Sequence, residues 1–231
     1  QETANEWQLP LWVATLDFKK AFDTVSHKAL WNALEQQGVT TGYTQLLTKL
    51  YTGQTGRVKT DVMSREFCIH RGTKQGDPLS SLLFNSVSEG IFRQLQPQWA
   101  KRQCGIHLRP GASAGSILTN LRFADDVLLF ATSLQQLKTM LKEIQQEALR
   151  VGLELHPDKT KILHNIQRRR PTQQPETTHI NEMSIEILGY GASQKYLGRR
   201  LTFRTPTETE LDNRTSTAWR KFHLLKQELT T

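Results

Sequence analysis

The sequence predicts an α+β protein in which helices cover one face of a sheet. Two observations predict it. Short apolar runs of strand length, Leu11-Trp12-Val13-Ala14-Thr15-Leu16 and Val127-Leu128-Leu129-Phe130 among them, interleave with segments whose apolar residues recur at helical spacing. No internal repeat interrupts that alternation, and 231 residues are enough to bury a core without covalent staples.

Taken in order, Trp12 to Phe18 reads as a buried strand delivering Asp17 at its carboxyl end. Ser26 is placed to open a helix that runs through Gln37 and stops at Gly38. A second helix is expected from about Tyr43 to Tyr51. Arg57 to Asp61 and Glu66 to His70 alternate around a polar turn, a hairpin leading into the loop Arg71-Gly72-Thr73-Lys74-Gln75-Gly76-Asp77-Pro78. Pro78 suits the first turn of a helix, and Leu79, Leu82, Leu83, Val87, Ile91 and Leu95 give that helix a buried side. Two apolar runs follow, Leu121-Arg122-Phe123-Ala124 and Val127-Leu128-Leu129-Phe130, joined by Asp125 and Asp126. Ser133 caps a long helix with the stripe Leu134, Leu137, Leu141, Ile144, Ala148 and Val151, ended by Gly152. From Gly152 to Leu163 the chain returns to extended structure. Gln167 to Thr178, rich in Pro, Gln and Arg and without periodicity, is expected to be a flexible basic loop. Tyr196, Leu197 and Leu201 belong to a short strand or hairpin around Gly198. Glu208 to Leu229 is an amphipathic helix whose stripe of Leu211, Ala218, Trp219, Phe222, Leu225 and Leu229 exceeds what so short a segment buries.

Lys and Arg number 30 against 22 acids, a formal charge of +8 that favours a polyanionic partner. The two cysteines, Cys68 and Cys104, have no metal-type spacing and read as structural thiols of a reducing compartment. No apolar stretch approaches the roughly 18 residues of a membrane span, and the amino terminus lacks a basic-then-apolar signal pattern. The expected setting is intracellular, cytoplasm and nucleus, neither secreted nor membrane-bound.

Asp125 and Asp126 stand between core-like runs where a hairpin would ordinarily turn on glycine. At about 4 Å and an effective dielectric near 20, two carboxylates repel by roughly 4 kcal/mol, so the pair calls for a raised pKa or a cation. Asp17, at the end of its own strand, is a third candidate ligand. Taken alone, Asp17 also reads as a solvated strand-end residue, and Asp125-Asp126 as a polar turn.

Three segments then acquire an order. Asp17-Phe18-Lys19-Lys20-Ala21-Phe22-Asp23, Arg71 to Ser80, and Phe123-Ala124-Asp125-Asp126 resemble motifs A, B and C of reverse transcriptases of the non-LTR retrotransposon class. Gly152-Leu153 with Pro157-Asp158-Lys159-Thr160 is similar to motif D, and Lys195-Tyr196-Leu197-Gly198 to the primer-grip motif E. The resemblance implies a polymerase palm, an antiparallel sheet backed by helices on one face, over residues 1–203, with 204–231 a helical segment leading to a thumb or connector. Fingers and thumb are expected to be largely absent, since the sixteen residues before Asp17 contain no basic side chain and only the Glu208 to Leu229 helix follows the primer-grip segment.

The resemblance further implies two Mg²⁺ ions, with Mn²⁺ a possible substitute, on Asp17, Asp125 and Asp126 and the Phe18 carbonyl. It places Phe22 beneath the incoming sugar, where a ring excludes a 2′-hydroxyl, and Gln75 and Gly76 beside the nucleotide and template base. Lys159 becomes the proton donor to pyrophosphate, and Tyr196, Leu197 and Gly198 the support of the primer end. Locally, Phe22 could equally be a core aromatic, Lys159 a solvated lysine and Gln75-Gly76 a common turn. Ser81 departs from the family's frequent proline. The implied function is RNA-directed DNA polymerisation on an RNA template and DNA primer, from deoxynucleoside triphosphates, for retrotransposition. The chain would be part of a larger polyprotein with fingers, thumb and perhaps an endonuclease domain. The alternative is a truncated or degenerate palm remnant that binds nucleic acid without catalysis.

Overall fold

Five consecutive residues form the strand about which the rest is arranged, β1 (Trp12–Leu16), buried on both faces as its unbroken apolar run requires. The computed structural model describes residues 9–108, 117–167 and 176–229. After β1 come α1 (Ala21–Thr24), α2 (His27–Gln36), α3 (Thr41–Tyr51), β2 (Thr55–Gly56), β3 (Phe67–Cys68) and α4 (Pro78–Lys101). The chain continues through β4 (Ile106–His107), β5 (Ile117–Leu118), β6 (Asn120–Phe123), β7 (Asp126–Ala131), α5 (Leu134–Arg150) and β8 (Lys161–His164). The remainder is β9 (Glu176–Ile180), β10 (Met183–Leu188), β11 (Gln194–Tyr196), β12 (Arg199–Leu201) and α6 (Pro206–Leu229).

Among the described residues the main sheet has six strands, in the order β6-β7-β1-β8-β10-β9. Every join is antiparallel except β8–β10, which is parallel. One face carries the main core, where Trp12, Ala14, Leu16, Val127, Leu129 and Ile162 meet Leu30 of α2, Phe84, Phe92 and Trp99 of α4, and Leu137, Leu141 and Ile144 of α5. The other face holds a smaller cluster, Leu11, Val13, Leu128, Leu163 and Phe203, with Tyr196 and Leu201 half-buried on it. Among the described residues the helices of the core therefore lie on one side, and the β11–β12 hairpin leans over the other.

Local chemistry accounts for the helix ends. Asp77 caps α4 by accepting from the Leu79 amide, with Pro78 in the first turn. Ser133 caps α5 through the Gln136 amide. At the far end of α5, Gly152 has φ +84, and a side chain there would sit 2.8 Å from the Thr24 carbonyl oxygen. The close approach joins the end of α5 to the α1–α2 turn, where the Ser26 amide donates to the Val151 carbonyl at 2.9 Å.

Some expectations need correction. The first strand stops at Leu16, and Phe18 forms only an isolated bridge to Leu155. The hairpin expected at 57–61 and 66–70 pairs instead at Thr55–Gly56 and Phe67–Cys68. Leu82 is exposed, not part of the buried side of α4. A turn at residues 157–159 interrupts the extended stretch ahead of β8. Of the basic loop at 167–178, residues 168–175 lie outside the described residues, and from Glu176 the chain is strand β9.

Candidate active site

The β1–β7 register pairs Leu16 with Val127, so its continuation sets Asp17 opposite Asp126. Opposed residues of an antiparallel pair project from the same face with Cβ atoms about 4.5–5.5 Å apart. Here that face is the one away from the helices. β6 and β7 are joined by the two residues Ala124 and Asp125, Phe123 pairing with Asp126. Ala124 takes φ 53, a left-handed conformation that costs a non-glycine residue about 1–2 kcal/mol. The turn thus presents Asp125 beside Asp126 at the edge of the same sheet end. Burial first, then the charges of Asp125 and Asp17, push the Asp126 carboxyl above its ordinary value.

Asp17 is fixed from the β8 side. Its carbonyl accepts from the His156 amide at 2.8 Å, and its amide reaches Thr160 Oγ1 at 3.4 Å. The His156–Asp17 bond and Lys19 N–H to the Glu154 carbonyl, also 2.8 Å, frame the Phe18–Leu155 bridge. In such a wide pair the central residue's own carbonyl points away from its partner, so that of Phe18 faces the β7 side. Lys159 Nζ lies 3.5 Å from Asp17 Oδ1, an exposed pair whose contribution to stability is at most about 1 kcal/mol.

Tyr196 comes to the same end from β11. Burial first, and then the Asp126 charge, raise its phenol. Leu197 and Gly198 form the exposed tip of that hairpin and turn toward α6, where Asn213 Nδ2 donates to the Gly198 carbonyl at 3.2 Å. The fold therefore gathers Asp17, Asp125, Asp126, Lys159 and Tyr196, and sends the hairpin tip elsewhere.

Phe22, Gln75 and Gly76 belong to a second group. The Phe22 ring stands 5.0 Å from that of buried Phe84, and its carbonyl accepts from the Thr73 amide at 2.6 Å. The Gly72 amide donates to Val25, and His27 Nε2 lies 2.8 Å from the Gly72 carbonyl. Gly72 has φ +85, and a Cβ there would meet the Asp23 carbonyl oxygen at 2.6 Å, so only glycine fits. Gln75 and Gly76 are exposed at the loop tip ahead of α4. His27 and His156 carry no local signal in the sequence, because each bonds a partner far away in the chain; Thr160 stood in the motif D segment, but its contact with the Asp17 amide was not legible there.

Among the described residues no three His, Cys, Asp or Glu side chains are close enough to hold a metal ion as they stand. The donor set nevertheless suits a hard cation. Mg²⁺ is ordinarily held by one or two carboxylates plus substrate phosphates and waters, without an all-protein cage. Burial first, and then two neighbouring acids, oppose the charge of Asp126, and the Lys159 ammonium stands 3.5 Å from Asp17.

The model of the family described as reverse transcriptase (RNA-dependent DNA polymerase) matches residues 1–198. The retrovirus-related Pol polyprotein from type-2 retrotransposable element R2DM of Drosophila melanogaster is 31% identical over 196 residues, 83% of this chain and 18% of that protein. The corresponding polyprotein from type-1 element R2 of Popillia japonica is 30% identical over 233 residues, 94% of this chain and 37% of its own length. The chain thus spans about a fifth of the first of these relatives and little more than a third of the second. Apo telomerase from Candida tropicalis, truncated from its C-terminal domain, superposes with a TM-score of 0.56 at 14% identity, over 89% of this chain and 36% of that one. At that identity the likeness concerns the fold.

Proposed function

Since this chain belongs to the reverse transcriptase (RNA-dependent DNA polymerase) family, we propose that it forms the palm of an RNA-directed DNA polymerase serving retrotransposition. What supports this most is the register that sets Asp17 opposite Asp126, with Asp125 in the adjoining turn. Two Mg²⁺ ions, or Mn²⁺ in their place, would activate the primer 3′-hydroxyl and neutralise the triphosphate. Asp17, Asp125 and Asp126, with the Phe18 carbonyl, would hold them.

The other residues bind, orient or move protons. Lys159 keeps a proton at Nζ for the departing pyrophosphate, a role open to an exposed ammonium already resting on Asp17. Phe22, stiffened against Phe84, closes the space a 2′-hydroxyl would need and leaves that group without a partner. Gln75 and Gly76 present backbone and amide to the incoming nucleotide and template base. Tyr196 would seat the primer end over the open face of the sheet, while Leu197 and Gly198, at the hairpin tip turned toward α6, would extend that support outward along the primer. Fingers, thumb and an endonuclease would come from the rest of a larger polyprotein.

The test is primer extension on an RNA template by the complete protein that contains this chain, wild type against Asp125→Ala. We expect extension to fall by at least about 100-fold. Equal extension by the two proteins overturns the assignment. Salt-dependent nucleic-acid binding with no incorporation by either, in Mg²⁺ or Mn²⁺, establishes the binding remnant instead.

A further inference from the structure

Arg122 lies in β6, two residues before the Ala124–Asp125 turn, and pairs with Val127 across the hairpin. Since Val127 faces the helix layer, Arg122 points away from the carboxylates and down onto α4. There its Nη2 donates to Glu89 Oε2 at 2.8 Å, while Glu89 Oε1 accepts from Arg93 Nε at 2.7 Å. The Arg122 guanidinium also sits 4.5 Å from the centroid of the Phe92 ring. Phe92 is buried and meets Trp99 edge-on at 6.0 Å. A charged hydrogen bond and a cation–π contact thus fasten one residue to a rigid helix from two directions.

The tether has something to resist. Among the described residues β6 is an edge strand of the main sheet, paired only with β7, and its turn carries a left-handed alanine. Held by the ladder alone, such a turn would relax by swinging, and Asp125 would move with it. We propose that Arg122 is a positioning residue for the candidate metal-binding carboxylates. The Arg122–Glu89–Phe92 brace sets the height of the Asp125–Asp126 turn relative to Asp17. The proposal rests on the carboxylate assignment above and adds to it the group that holds those carboxylates in place.

The experiment titrates Mn²⁺ into this chain and follows the electron paramagnetic resonance signal of the free ion, with thermal midpoints recorded alongside. Arg122→Met keeps the aliphatic stem and removes the charge; Glu89→Gln removes it from the other side. Each is expected to weaken Mn²⁺ binding about 10–100-fold, the effect of losing a group that orients a ligand. Their midpoints should stay within about 3 °C of wild type, a change of roughly 1 kcal/mol. Arg122→Lys, which restores a cation between Glu89 and Phe92, should recover most of the affinity. If Arg122→Met and Glu89→Gln bind as wild type while Asp125→Asn does not, the brace is overturned and the carboxylate site stands. If Asp125→Asn binds as well as wild type, or wild type binds no Mn²⁺, the carboxylate assignment falls and the brace with it. Affinity and midpoint falling together in both variants identifies an ordinary structural contact and also overturns the proposal. Should Arg122→Met fail to fold, Glu89→Gln decides.

Discussion

Asp126 is a residue that folding alone would not favour as a carboxylate, since burial and two neighbouring acids all oppose its charge. Its folded pKa lies above its unfolded value, so the folded state binds the extra proton. Stability therefore falls as pH rises from the unfolded value through the folded one, and the penalty is fully present at neutral pH. The residue is half-buried and solvent screens the repulsions, so that penalty is modest, about 1 kcal/mol or less. Asp126→Asn should accordingly melt about 1–3 °C above wild type without metal, by differential scanning fluorimetry at pH 7. Added Mg²⁺ should raise the wild-type midpoint and leave that of the variant nearly unmoved. A variant that melts lower in metal-free buffer would contradict the electrostatic account. Gly72 is governed by shape. With φ +85 and the Asp23 carbonyl oxygen 2.6 Å from the position of a Cβ, Gly72→Ala combines backbone strain with overlap against immobile backbone. The expected loss is about 2–3 kcal/mol in urea unfolding.

Among the elements, α5 was the most legible because its signals are local: a serine cap, an apolar stripe and a stop at Gly152 lie within twenty residues of one another. α4 was legible only in part. At about 100° per residue, the nine positions from Leu82 to Ile91 leave these two residues about 180° apart, so Leu82 faces water while Phe84, Phe92 and Trp99 complete the buried stripe. β9 and β10 escaped notice although the alternation of Met183, Ile185 and Ile187 was present, with Asn181 at φ 52 in the intervening turn. The polar composition leading up to Glu176 hid them. The order of the carboxylate-bearing segments was legible, whereas the amides and hydroxyl that fix Asp17 were not, because β8 meets β1 only in three dimensions. A similar long-range device joins α4 to α5. Buried Trp99 Nε1 donates to Glu143 Oε2 at 2.7 Å, and Arg102 donates to both carboxylate oxygens. Burial alone would raise the Glu143 carboxyl, but these hydrogen bonds outweigh it and hold the group below its ordinary 4.5. The stabilisation is thus present above about pH 4.5 and lost as pH falls through the lowered folded value. Glu143→Ala strands the indole N–H, and urea unfolding at pH 7 should show a loss of about 2–3 kcal/mol, shrinking toward acid pH.

At the scale of the whole molecule, the three acids come from two segments more than a hundred residues apart and are brought to one sheet end because β1 is paired with β7, while the stretch leading into β8 on its other side fixes Asp17. That centre does not draw on α6. The helix touches the rest of the fold through the β11–β12 hairpin, where Glu210 takes the Arg200 amide and Asn213 reaches Gly198. Arg214 first, then the Arg200 amide, lower the Glu210 carboxyl to about 2, so this link persists at all but the most acid pH. Beyond it α6 exposes Leu211, Trp219, Phe222, Leu224 and Leu225. Apolar side chains in such number on one exposed helix favour association between molecules over solvation. Deleting residues 204–231 should therefore act on association more than on the sheet. The midpoint at low concentration should shift by no more than about 3 °C, roughly 1 kcal/mol, and the Mg²⁺-dependent rise should remain. Sedimentation velocity on the intact chain should show mass increasing with concentration, and the shortened chain should lose that dependence. If the deletion instead abolishes the Mg²⁺ response, α6 is part of the structure that holds the acids together, and the division between a self-sufficient sheet and an appended helix is wrong.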